Sequence, residues 1–186
     1  MKKLLFILVL ITSIVYAQEF TVTPTGLKDN TNLEKTYVVI NTPGKTAEQN
    51  YNNAIKYINK TYKNPKDVMK GDVKGEYISF DTHISNFLVV KNSGAKLPID
   101  ANYSIELSFK GDRAKLEVIN LDMYHSSGYK VLFTGGILSS YPIYKKKKQK
   151  LIRPETKTDV EVYFNNKINV IKGYLNEEVK ATDDDW

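Results

Sequence analysis

A chain of 186 residues with no cysteine, two histidines and a formal charge of +6 has room for one domain with a sizeable core. The missing cysteine excludes disulfides, thiol nucleophiles, thiolate metal sites and lipid attachment at a lipobox. Thirteen tyrosines and seven phenylalanines argue for an ordered interior, and neither a solenoid repeat nor a second domain boundary interrupts the chain.

The first stretch, MKKLLFILVLITSIVYA, has two lysines, an unbroken apolar run and a small residue, Ala17, at its exit. That order is the pattern of a secretory signal peptide. Its apolar run is too short for a permanent span, which needs about 20 residues. A buried core helix is the alternative, but no polar face interrupts the run. Cleavage between Ala17 and Gln18 is expected, leaving a soluble periplasmic or secreted protein of a Gram-negative bacterium. Residues 18–34, rich in Thr, Asn, Gly and Pro, read as an extended leader with one short strand at 20–23.

Residues 36–41, TYVVIN, are β-branched and aromatic and predict a strand. After the break at TPGK, Thr46 and Gln49 stand at capping-box spacing. Ala47, Tyr51, Ala54, Ile55, Ile58 and Tyr62 then recur every three or four residues, the apolar face of a helix that Asn64 and Pro65 stop. Glu48, Asn52, Asn53, Lys56 and Lys60 fall on its other face.

Past Pro65 the period becomes two: Ile78, Phe80, Thr82 and Ile84 share one face, with Tyr77, Ser79 and Asp81 opposite. Residues 87–91 give a further strand. Tyr103, Ile105, Leu107 and Phe109 alternate into a hairpin turn, KGDR, at 110–113. On the return strand Ala114, Leu116 and Val118 keep one phase, and Ile119, Leu121 and Met123 take the other. That slip predicts a bulge or bend near Val118 and Ile119.

The chain ends in a predicted helix of about 25 residues starting at Pro154, with an apolar stripe of Val160, Phe164, Ile168, Ile171, Leu175 and Val179. The plan is a signal peptide at 1–17, a leader at 18–34, and one α+β domain at 35–181. That domain carries a Tyr/Lys-rich insertion at 124–152, and an acidic tail follows at 182–186. Two amphipathic helices and a one-sided sheet satisfy each other by stacking in two layers. The expected fold is an antiparallel sheet of about five to six strands with two helices on one face, in the order β-α-β-β-β-β-α.

Three stretches, TPGKTAEQNYNNAIKYINKTYKNP, DVKGEYISF and YSIELSFKGDRAKLEVINL, together resemble the exported bacterial family known as domain of unknown function 4468. The resemblance covers residues 37–119 and implies a TATA-box-binding-protein-like fold. Its motifs are structural turns. It implies no catalytic residue, cofactor or ligand, and the fold's name is an analogy of shape that says nothing about function.

Candidate chemistry is sparse. His83 lies in a strand and His125 in a predicted turn, both accounted for structurally. Asp81 beside His83, and Asp122 near His125 with Ser126 or Ser127, are short-range coincidences without a nucleophile-elbow pattern. Neither the hairpin tip at 110–113 nor Gly135 and Gly136 has the helix N-terminus or the spacing of a phosphate cradle. No cofactor or metal is expected.

The densest charge is SSYPIYKKKKQKLIRPE, with Lys145, Lys146, Lys147, Lys148, Lys150 and Arg153 around two tyrosines. Consecutive lysines in an extended chain point to alternate faces, which disfavours tracking a nucleic-acid backbone. A hydrated loop or a lysine-protected edge strand is the plain reading. Contact with anionic lipid, acidic polysaccharide or a cell-envelope protein is the functional one. Three functions follow for test. They are a non-enzymatic binding or envelope-interaction module, a carrier of a lipid or hydrophobic ligand between the sheet and the C-terminal helix stripe of Phe164, Ile168 and Ile171, and a hydrolase using His83 or His125.

Overall fold

Thr46 starts the first helix as its spacing implies. Its hydroxyl accepts from the Gln49 N–H (3.2 Å) while the Gln49 side chain accepts from the Thr46 N–H (2.8 Å), two otherwise orphaned donors satisfied reciprocally. A computed structural model describes residues 19–92, 94–136 and 140–177. The signal segment, its cleavage point at Ala17 and Gln18, Val179 and the acidic tail lie outside the described residues.

In chain order the elements are β1 (Phe20–Thr23), β2 (Gly26–Asp29), β3 (Tyr37–Asn41), α1 (Ala47–Thr61), α2 (Pro65–Val68), β4 (Met69–Val73), β5 (Tyr77–Asn92), β6 (Ala95–Lys110), β7 (Arg113–Tyr124), β8 (Lys130–Thr134), β9 (Ser140–Tyr144) and α3 (Pro154–Leu175). The fold is α+β with a mostly antiparallel sheet, as expected, but the strand count differs. Among the described residues seven strands form the main sheet, in the order β4-β5-β6-β7-β8-β9 with β3 also on β7. β3 pairs with the start of β7, from Arg113 to Glu117, and β8 with its end, at Met123 and Tyr124. The β8–β9 pair is parallel, so the insertion extends the sheet with two short strands that carry little alternation.

Two expected strands merge. Residues 78–84 and 87–91 both belong to β5, whose register on β6 jumps from Ile84↔Ala101 to Leu88↔Ile99. Asn86 absorbs the irregularity at φ 55, with its N–H donated to Asp100 (2.8 Å). The predicted bulge of β7 is present slightly later, between Ile119 and Asp122, where Asn120 takes φ 56. Ile119 therefore sits opposite Ser104 rather than joining the core-facing set.

The leader is corrected to a hairpin. β1 and β2 pair, bury Phe20, Val22 and Leu27, and dock on α3. Asn165 clamps Phe20 through both its backbone groups (2.8 and 3.0 Å), and the Glu161 carboxylate accepts from the Val22 N–H (2.8 Å), the Thr21 hydroxyl (2.7 Å) and Lys157. The hydroxyl of Tyr144 donates to the Val22 carbonyl (2.8 Å), tying the hairpin to β9 as well. Burial opposes ionisation of Glu161, but these contacts, Lys157 first, outweigh it and hold the carboxyl below its ordinary range. A lowered folded-state pKa stabilises above the unfolded value and is lost as pH falls through the folded one. Glu161→Ala should thus cost about 1–3 kcal/mol at neutral pH by leaving the hairpin donors unpaired. The gap from the parent should narrow in denaturant titrations below about pH 4.

The helices α1 and α3 pack side by side over one face of the sheet. Ile78, Phe80, Ile99, Ala101, Tyr103, Ile105, Leu107 and Phe109 rise from that face and are buried. From above, α3 supplies the expected stripe of Val160, Phe164, Ile168, Ile171 and Leu175. On α1 the buried set is Asn50, Tyr51, Asn53, Ala54, Tyr57 and Ile58, which shifts the predicted face. Ile55 is only half-buried, and Tyr57 is fully enclosed against Phe80 and Tyr174. Asn53, placed on the polar face by its residue type, is inside because its amide donates to the Leu175 carbonyl (3.1 Å) at the end of α3. Asn50 likewise reaches Thr42 (2.8 Å) and the Gly111 carbonyl (3.2 Å). Buried amides are tolerated where distant backbone supplies their partners.

Candidate functional site

The run at 145–150 leaves β9 and turns straight back. Lys145 donates its N–H to the Lys150 carbonyl (2.9 Å), Tyr144 bridges Leu151, and the Ile152 N–H reaches the Ile143 carbonyl (2.9 Å). Lys148 and Gln149 take φ 68 and 47, the left-handed conformation needed to reverse the chain without glycine. The extended geometry assumed for the run is therefore corrected. Its lysines ride on a tight turn instead of alternating across a strand. Lys145, Lys146, Lys147, Lys148 and Lys150 are all exposed. Among the described residues none of them has a carboxylate within ion-pair distance, as is also true of exposed lysines elsewhere such as Lys63 and Lys66.

Arg153 does not join that cluster. Its guanidinium lies over the Tyr141 ring (4.9 Å) and donates to the Lys91 carbonyl (3.3 Å), while its Nε is buried without a partner. Tyr141 is stacked in turn on Tyr129 (5.5 Å). The arginine is a strut between the sheet edge and the start of α3, and its aromatic contact is worth about 0.5–1 kcal/mol at such a site.

A second polar surface occupies the face of the sheet away from α1 and α3. Asp67, Asp81, His83, Asn102, Ser104 and Asn120 line a groove of about 510 Å³ there. Asp81 and His83 share the face but do not bond. Asp81 accepts from Ser104 (2.7 Å) and stands 3.9 Å from Lys70, while the His83 ring meets Asn102 (2.9 Å) and Ser85 (3.2 Å). Asn102 gives its amide N–H to the Tyr124 hydroxyl (3.3 Å), which turns its oxygen toward His83. With Nδ1 set to donate to the Asn102 oxygen, Ser85 lies at Nε2, the spatial order His–Ser of a serine hydrolase. Acyl transfer also needs donors aimed at the oxyanion in a water-excluded site. His83, Ser85 and Asn102 are exposed, so solvent competes at every position.

His125 belongs to the β7–β8 turn, closed by its N–H to the Tyr129 carbonyl and by its ring to Ser127 (2.6 Å). Asp122 is held by Lys130 (2.9 Å) rather than by His125. Among the described residues no three His, Asp or Glu side chains converge as metal ligands, and no helix is long and apolar enough to cross a membrane. The same face also presents Asp81, Glu106, Glu117 and Asp122, of which Asp81, Glu117 and Asp122 are ion-paired with Lys70, Lys115 and Lys130.

No model of a known family matches the chain, and no curated protein matches it. Two solved structures do. A DUF4468 family protein from Bacteroides ovatus ATCC 8483 aligns over 75% of this chain and 84% of its own, at 15% identity and a TM-score of 0.53. A TBP-like protein from Parabacteroides distasonis ATCC 8503 aligns over 75% of this chain and 90% of its own, at 9% identity and the same TM-score. At such identities the likeness is one of fold and carries no activity across. Strand, capped helix, long hairpins and final helix thus combine as the turn motifs implied, and the chain has the TBP-like fold of the DUF4468 proteins.

Proposed function

We propose that the protein is an exported, non-enzymatic binding module of the cell envelope that engages anionic surfaces through Lys145, Lys146, Lys147, Lys148 and Lys150. One observation carries this reading: these cations are gathered on a single turn, exposed and without ion pairs among the described residues. Like charges so close repel one another, and an anionic surface relieves that repulsion while bringing opposite charge within a Debye length of about 8 Å. The carrier reading has less behind it, because Phe164, Ile168 and Ile171 are themselves buried in the space a ligand would take. Arg153 is left out of the contact set because its guanidinium is engaged on Tyr141.

The test replaces Lys145, Lys146, Lys147 and Lys148 with Ser. Binding to soluble polyphosphate should weaken strongly, while stability changes by no more than about 0.5 kcal/mol per site, as for exposed positions generally. Undiminished polyphosphate binding would sink the reading. A large stability loss would show that the lysine stems cover apolar surface.

A further inference from the structure

We infer that the anionic surface is a lipid bilayer, engaged by the lysine turn together with the return segment Leu151 and Ile152; this rests on the anionic-surface reading above. Directly after Lys150, Leu151 and Ile152 are each 37% exposed. Successive residues of an extended segment point to opposite sides, so partial exposure of both leaves apolar surface open on either side of it. The Ile152 N–H to Ile143 carbonyl bond and the Tyr144–Leu151 bridge fix it there. Two adjacent, partly exposed large aliphatics are therefore held at the base of a cationic turn. In the β7–β8 turn Tyr129, also 37% exposed, stacks on Tyr141 of β9, whose ring lies beneath the Arg153 guanidinium.

A soluble polyanion or acidic polysaccharide answers only the charges. An anionic bilayer answers both features: headgroups meet the ammonium groups, and the boundary with the acyl chains receives Leu151 and Ile152. Lysine stems suit that depth because they can lie along apolar surface with the charge kept in water. A tyrosine at the rim suits the headgroup level. The apolar part is small, so the contact is a reversible docking and neither a span nor an anchor.

Co-sedimentation of the full mature chain with phosphatidylcholine vesicles, with and without phosphatidylglycerol, tests this beside polyphosphate binding. Association is expected only with the anionic vesicles. Each lysine near such a surface strengthens partitioning about fivefold, so the quadruple Lys→Ser variant should bind at least about a hundredfold more weakly. The double variant Leu151→Asn, Ile152→Asn keeps every lysine and both backbone contacts. It should lose about tenfold on vesicles and nothing on polyphosphate. Should that variant match the parent on vesicles, the bilayer inference falls while the anionic-surface reading stands. A parent that binds neither vesicles nor polyphosphate would overturn both.

Discussion

Phe164→Ala should lower the stability of the protein by about 3–5 kcal/mol, the usual cost of removing a buried ring. Phe164 is 1% exposed in the middle of α3, edge-on to Tyr103 (5.2 Å) and tilted against Phe87 (5.9 Å). Those neighbours come from the two longest strands, and Tyr103 is further fixed by its hydroxyl contact with Tyr163 (2.7 Å). A cavity left there cannot collapse easily, because helix and sheet are both held from several sides. Against a total of about 5–15 kcal/mol the loss is a large share of what keeps the domain folded. Urea unfolding reads it directly, as a lower midpoint at unchanged slope. An unmoved midpoint would mean that α3 does not dock on the sheet through this ring.

Ile58→Ala should cost about 2–5 kcal/mol, for the corresponding reason on α1. Ile58 is fully buried, whereas Ile55, one turn back and on the same predicted stripe, is half-exposed. Ile55→Ala should accordingly cost less, about 1 kcal/mol. The pair separates the observed helix face from the expected one. Equal losses at both positions would return α1 to the orientation its apolar spacing suggests, with Tyr57 no longer at the centre.

Local signals were legible where the physics is local. Thr46 and Gln49 satisfy each other within one turn of helix, and residues 110–113 close the β6–β7 hairpin between adjacent positions. The bulge of β7 announced itself as a change of apolar phase, misplaced slightly because Asn120 rather than Val118 takes the positive φ. The stripe of α3 was readable because its partners only had to be apolar. What escaped depends on residues far away in sequence. Asn53 reads as solvent-facing until Leu175 offers a carbonyl, and residues 18–34 read as a leader until Glu161 and Asn165 receive their backbone.

The candidate sites divide in the same way. Composition alone singled out the lysine run, but its shape was not readable, since no Gly, Asn or Pro marks the reversal at Lys148 and Gln149. Arg153 was grouped with the lysines by proximity in sequence, and Tyr141 and Lys91 take it elsewhere. The partners of His83 follow from the β5–β6 register, which places Asn102 directly across from it. No motif near the histidine reveals that pairing.

The salt dependence of polyphosphate binding, in the parent and in the variant with Ser at 145–148, bears most directly on the role of the turn. Each lysine contact with a phosphate adds about one unit to the slope of log affinity against log salt concentration. The parent should show a steep slope, and the variant one shallower by about three to four units wherever residual binding is measurable. Equal slopes in the two proteins would mean that the anion binds elsewhere and that the lysine turn serves only as a solvated edge.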